Sequence, residues 1–109
     1  MERDIQKTID ELVKSNEIVI FMKGTPAFPM CGFSQQTAAI LGTLERPFKA
    51  VDVIGEPEYR QAIKEYSKWP TLPQVFVGGE LVGGCDIVRD MYDSGQLQTV
   101  VDGAFAGGA

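Results

Sequence analysis

The stretch EIVIFM, residues 17 to 22, constrains the fold more than any other. Its unbroken run of apolar, largely β-branched residues leaves no polar face for water, the pattern of a strand buried on both sides. Such a strand calls for cover above and below the sheet, and the neighbouring segments have the patterns to provide it. Ile5, Ile9, Leu12 and Val13 recur at helical spacing and predict an amphipathic helix over the first 15 residues. Next to the strand, KGTPAFPM breaks regular structure with Gly24, Pro26 and Pro29, and delivers Cys31 to the start of the following element.

That element is a predicted helix over 34–44, with Ala38, Leu41 and Ile40 or Leu44 turned inward. FKAVDV (48–53) predicts a second strand, and EPEYRQAIKEYSKW a helix with Pro57 near its first turn and Tyr59, Ile63 and Tyr66 inward. QVFVGGELVGG has the form of a hairpin around Gly78 and Gly79. Ile87, Val88, Met91 and Tyr92 mark a further helix and QLQTVVDGAF a short last one, with a frayed tail expected over about 104–109. This order contains one βαβ unit, whose strands should be parallel with a right-handed crossover, followed by a helix and an antiparallel hairpin. The expectation is an α/β fold in a single domain over 1–109, a four-stranded mixed sheet flanked by helices on both faces.

Composition narrows the function. A chain of 109 residues is long enough for one core without staples. Its longest apolar run is far short of the roughly 20 residues that span a bilayer, so no membrane role is expected. The net charge of -5 argues against a nucleic-acid partner, which would demand clustered Lys and Arg. MERDIQKTIDELVKS is charged and amphipathic and has the look of neither a secretion signal nor a transit peptide, from which a cytoplasmic location is expected. With two cysteines and no histidine, Cys-His catalysis and histidine metal ligation are excluded. One chain cannot supply a four-cysteine zinc or iron–sulfur site alone, so any such metal must recruit outside ligands.

Cys31 stands where the loop after the first strand meets a helix N-terminus, and there free amides and the helix dipole favour its thiolate. Gly32 beside it lets backbone approach a ligand closely. A plainer reading takes Cys31 as a small buried hydrophobe. Three positions on, where a redox pair would place a second thiol, the chain has Ser34.

MKGTPAFPMCGFS and WPTLPQVFVGGELVGGCDI, with their spacing, resemble the monothiol, CGFS-type glutaredoxins over about residues 5–103. The resemblance implies the thioredoxin (glutaredoxin) fold. It further implies that Cys31, in the CGFS motif with Gly32, Phe33 and Ser34, binds glutathione and a 2Fe-2S cluster bridging two subunits, with Ser34 replacing the second cysteine of dithiol relatives. Lys23 and Arg60 match the cations that meet the carboxylates of glutathione. In WPTLP, Leu72 matches the residue whose amide and carbonyl pair with the tripeptide as an added strand would, beside Thr71 and the family's cis proline, Pro73. Trp69 and Pro70 are typical of the CGFS class, although Trp69 also reads as a packing aromatic.

Gly84 permits close approach, the amides of Cys85 and Asp86 suit the γ-glutamyl carboxylate, and the Asp86 carboxylate suits its ammonium group. The Cys85 thiol reads equally as buried and inert, and a reversible bond to Cys31 depends on a Cα distance that sequence does not give.

Ser34 cannot resolve a mixed disulfide, so glutathione would have to. That gives one implied function, a glutathione-dependent oxidoreductase that removes glutathione from proteins. The leading expectation takes its cluster from the resemblance, and stoichiometry accounts for the single thiol: a cluster of two irons and two sulfides takes four thiolates, which two subunits and two glutathiones supply. One cluster per homodimer, half of its ligands held noncovalently, would be labile and suited to carriage to apo iron–sulfur recipient proteins and to iron homeostasis. The longer loop KGTPAFP favours this role within the resemblance, which also implies docking of a BolA-family protein.

Overall fold

The computed structural model describes residues 4–107. Its elements run α1 (Ile5–Ser15), β1 (Ile18–Met22), α2 (Gly32–Thr43), β2 (Lys49–Asp52), α3 (Glu58–Ser67), β3 (Gln74–Val77), β4 (Glu80–Gly83), α4 (Cys85–Ser94) and α5 (Gln96–Gly107). The sheet order is β2-β1-β3-β4, with β1 parallel to β2 and antiparallel to β3, and β3 antiparallel to β4. The expected four-stranded mixed sheet with helices on both faces is therefore the observed one.

Every residue of β1 is buried, because its two faces feed two cores. Ile18, Ile20 and Met22 point towards α2, α4 and α5, meeting Ala38, Leu41, Val88, Leu97 and Val101. Val19 and Phe21 point the other way, to Ile9 and Val13 of α1, Tyr59 and Ile63 of α3, and Phe76. Phe21 packs edge-on to Phe76, with ring centroids 5.8 Å apart. No helix among the described residues is long and apolar enough to cross a membrane.

Several boundaries differ from the sequence expectation, each for a local reason. Helix α2 starts at Gly32 rather than 34, since Cys31 itself takes the extended N-cap geometry and its carbonyl accepts the amide of Gln35 at 2.9 Å. Helix α3 stops at Ser67, two residues before Trp69, because Lys68 adopts a left-handed backbone at φ 60°. The tail expected to fray from 104 is helical through Gly107, held by Ala104 and Phe105 packing on the core and by the Arg46 guanidinium 4.7 Å over the Phe105 ring. Residues 1–3, part of the expected first helix, and 108–109 of the expected tail lie outside the described residues.

Candidate functional site

The loop after β1 is a folded structure, not slack chain. Gly24 takes φ +88° and bridges to Pro29, Thr25 and Phe28 exchange backbone hydrogen bonds, and the Met30 amide donates to the Lys23 carbonyl at 2.9 Å. From the end of β2, Asp52 accepts the amides of Gly24 and Ile54, each at 2.9 Å. Burial pushes the Asp52 carboxyl up, but the amides of Gly55, Ile54 and Gly24 outweigh it and hold the group below its usual value. The loop thereby fixes Cys31 at the mouth of α2, half-buried, with Phe28, Met30 and Phe33 exposed around it.

Cys31 is held below the ordinary thiol range, first by the Ser34 amide, then by the Phe33 amide, the charge of Lys23 and the Ser34 hydroxyl, against the cost of burial. Ser34 is fully buried, and its Oγ accepts the Lys23 amide at 3.0 Å, leaving its own proton for the Cys31 sulfur. One hydroxyl thus ties the end of β1 to the start of α2 while stabilising the thiolate between them.

Beside the thiol opens a cleft of about 480 Å³ lined by Lys23, Cys31, Phe33, Arg60, Lys64, the Trp69–Pro73 loop and, next to that loop, Gly84, Cys85, Asp86 and Ile87. The fold therefore gathers Lys23, Cys31, Phe33, Arg60, Trp69, Thr71, Leu72, Pro73, Gly84, Cys85 and Asp86 into one wall, as the sequence reading grouped them. Leu72–Pro73 is cis. The Trp69–Leu72 segment is held from behind by buried Gln74, whose Nε2 donates to the carbonyls of Trp69 and Thr71 at 3.0 and 3.1 Å. A Cβ on Gly84 would stand 3.3 Å from the Pro73 carbonyl, so glycine there lets α4 begin against the cis-proline loop. Three cations and the N-terminus of α4, where Cys85 and Asp86 present their amides, make the cleft receptive to anions. Asp86 carries a loose ion pair with Arg89 at 3.4 Å.

Two sequence-chosen residues fall outside the wall. Ser34 is buried behind it, and Gly32 opens α2 where an added Cβ would meet nothing within 4 Å, so no protein contact requires glycine there. Conversely, sequence reasoning missed Lys64, Ile87 and Gln36. Lys64 was legible as the residue one helical turn after Arg60, on the same face of α3. Gln36, whose Oε1 lies 3.0 Å from the Cys85 sulfur, gave no signal beyond being polar on a helix. Among the described residues no three His, Cys, Asp or Glu side chains gather as a metal site.

A glutaredoxin family model matches residues 18–82. A monothiol glutaredoxin of Synechocystis is 48% identical over 97% of this chain and 99% of its own length. Monothiol glutaredoxin-S7 of rice, named as chloroplastic, is 48% identical over 93% of this chain, which spans 60% of that protein's length. Monothiol glutaredoxin-5 of Saccharomyces cerevisiae, named as mitochondrial, is 43% identical over 97% of this chain and 73% of its own. Among solved structures, reduced poplar apo GrxS14 superposes with a TM-score of 0.82 at 47% identity, covering 94% of each chain. A buckwheat glutaredoxin–glutathione complex superposes with a TM-score of 0.78 at 25% identity, covering 94% of this chain and 98% of that one.

The cytoplasmic location expected from the first residues is corrected by these relatives, since proteins this similar are named for chloroplasts and mitochondria. A domain of this kind works in more than one compartment, so the character of its first helix does not assign one. A cleft-lining, activated thiol followed by serine, a fold shared with reduced GrxS14 and a family match across the whole sheet lead to one conclusion: the chain belongs to the glutaredoxin family, in its monothiol branch.

Proposed function

We propose that the chain binds glutathione in this cleft and, as a pair of copies, carries a 2Fe-2S cluster as cargo for iron–sulfur recipient proteins. The observation that carries this reading is the single activated thiol. Cys31 is poised at the cleft, while the position that would hold a resolving thiol is Ser34, buried and already bonded to the Lys23 amide. One chain therefore offers one soft ligand at its mouth, and four are needed. A second copy and two glutathione thiolates make up the number.

The cleft suits the tripeptide. Its volume lies in the range of small-molecule sites, Lys23, Arg60 and Lys64 supply charge for one carboxylate, and the α4 amides offer a seat for the other. A related glutaredoxin has been solved with glutathione, which supports the same ligand here. The exposed Phe28, Met30 and Phe33 give a second copy, or a BolA-family protein in its place, an apolar rim to meet.

The test is anaerobic reconstitution with iron, sulfide and glutathione, followed by visible spectroscopy and sizing. A chromophore that elutes with a dimer and needs both Cys31 and glutathione is expected. No chromophore, or one that persists in Cys31→Ser, sinks the reading. Arg60→Ala should weaken glutathione by about one to two decades, the loss of one charge-assisted bond.

The lowered Cys31 thiol also favours a second reading, the removal of glutathione from proteins. Cys31 thiolate would attack the glutathione sulfur of a mixed disulfide, expelling the protein thiolate, which takes a proton from water. A second glutathione thiolate would then release glutathione disulfide and regenerate Cys31. Brisk turnover in a glutathione-coupled disulfide assay is required for this reading to stand.

A further inference from the structure

Strand β3 opens on Gln74, the one polar residue of QVFV, and it is fully buried. Its side chain shares a strand face with Phe76, which packs in the core beneath α1 and α3. A glutamine costs stability there, because its Oε1 is buried without a partner among the described residues. Stability alone would favour an apolar side chain, as at the next three positions.

What the Gln74 amide does is fix backbone. Its Nε2 donates to the Trp69 carbonyl at 3.0 Å and to the Thr71 carbonyl at 3.1 Å, from behind the residues that line the cleft. The Thr71–Leu72 peptide is trans, so its C=O and N–H point in opposite directions. With the Thr71 oxygen drawn back onto Gln74, the Leu72 N–H is aimed away from it, to the cleft that Leu72 lines. Neither that N–H nor the Leu72 carbonyl makes a hydrogen bond among the described residues. Pro70 and Pro73 have no N–H and the Trp69 amide is spent on Ser67 Oγ, so this wall segment has few donors left to offer.

We propose that Gln74 is a positioning residue: through the Thr71 carbonyl it aims the Leu72 N–H at a backbone carbonyl of a peptide lying in the cleft. This rests on the reading of that peptide as glutathione, and adds how the wall keeps a donor ready for it.

The experiment is amide NMR of the reduced, full-length, 15N-labelled protein titrated with reduced glutathione. In the wild type, the Leu72 amide proton should move downfield and exchange more slowly as glutathione fills the cleft, alongside responses at the Cys85 and Asp86 amides. Gln74→Met, of similar length but without donors, should bind glutathione about three- to tenfold more weakly, the loss of about one neutral hydrogen bond. At saturating glutathione its Leu72 response should shrink while those of Cys85 and Asp86 persist, a selective signature that general loosening of the fold would not give.

A full Leu72 response in Gln74→Met overturns the proposal. So does the joint loss of all three responses, or failure of that variant to fold, because Gln74 would then support the structure at large. Independently of any variant, the side-chain amide protons of Gln74 must exchange slowly in the wild type with and without glutathione, and rapid exchange overturns the proposal. Wild-type responses at Cys85 and Asp86 without one at Leu72 sink this inference alone, whereas silence at all three amides sinks the glutathione reading with it.

Discussion

Ser34 illustrates how a residue that reads as a missing thiol acquires positive work in three dimensions. Its type was plain from the CGFS motif, but its burial and its bond to the Lys23 amide depend on where β1 ends relative to α2, a distance no spacing rule contains. Ser34→Ala should leave that amide unpaired and cost about 1–2 kcal/mol, read as a lower midpoint in urea unfolding. It should also slow alkylation of Cys31 at pH 7, since a donor to the thiolate is lost and the thiol titrates higher. Unchanged alkylation would show that the amides of Ser34 and Phe33 suffice. The cations divide differently: Lys23 and Arg60 were legible beside a motif, whereas Lys64 was legible only through Arg60, as the residue one turn further along the face of α3 that lines the cleft.

At the level of elements, sequence was most informative where periodicity and burial agree. IVIFM is a strand with both faces buried because odd and even positions feed different cores, and the pattern shows it directly. Ends were less legible. The start of α2 depends on the Cys31 backbone rather than on a capping side chain, and the length of α5 on Phe105 finding Arg46. The loop between β1 and α2 was marked by its glycine and prolines, but not its internal bonding or its tie to Asp52. Gly24 is the test of that bonding. A Cβ there would sit 2.5 Å from the Phe28 carbonyl and 2.7 Å from the Met30 amide, on a backbone at φ +88°. Gly24→Ala should therefore cost at least about 1–2 kcal/mol, whereas Gly32→Ala, with open space around its Cβ, should stay within about 0.5 kcal/mol. Equal midpoints for the two variants would mean that the close packing around Gly24 does not hold the loop in shape.

Across the whole molecule, the helices on one face of the sheet are tied together by Tyr66 of α3, whose hydroxyl donates to Asp10 of α1 at 2.7 Å. Burial first, then the bond and charge of Asp10, push the Tyr66 phenol up to about 12. A raised folded-state value means stability that is fully present below the ordinary tyrosine value near 10 and is lost as pH climbs through about 12. Alkaline melting curves should show this decline between those limits, and Tyr66→Phe should flatten it; a variant that falls as steeply as the parent would assign the decline elsewhere. Just beyond the end of α3, the chain's one tryptophan stands in the cleft wall, its indole N–H buried and without a partner among the described residues. The protein thus contains its own optical gauge: whatever fills the cleft changes the surroundings of that indole, and its emission counts occupied molecules without a label.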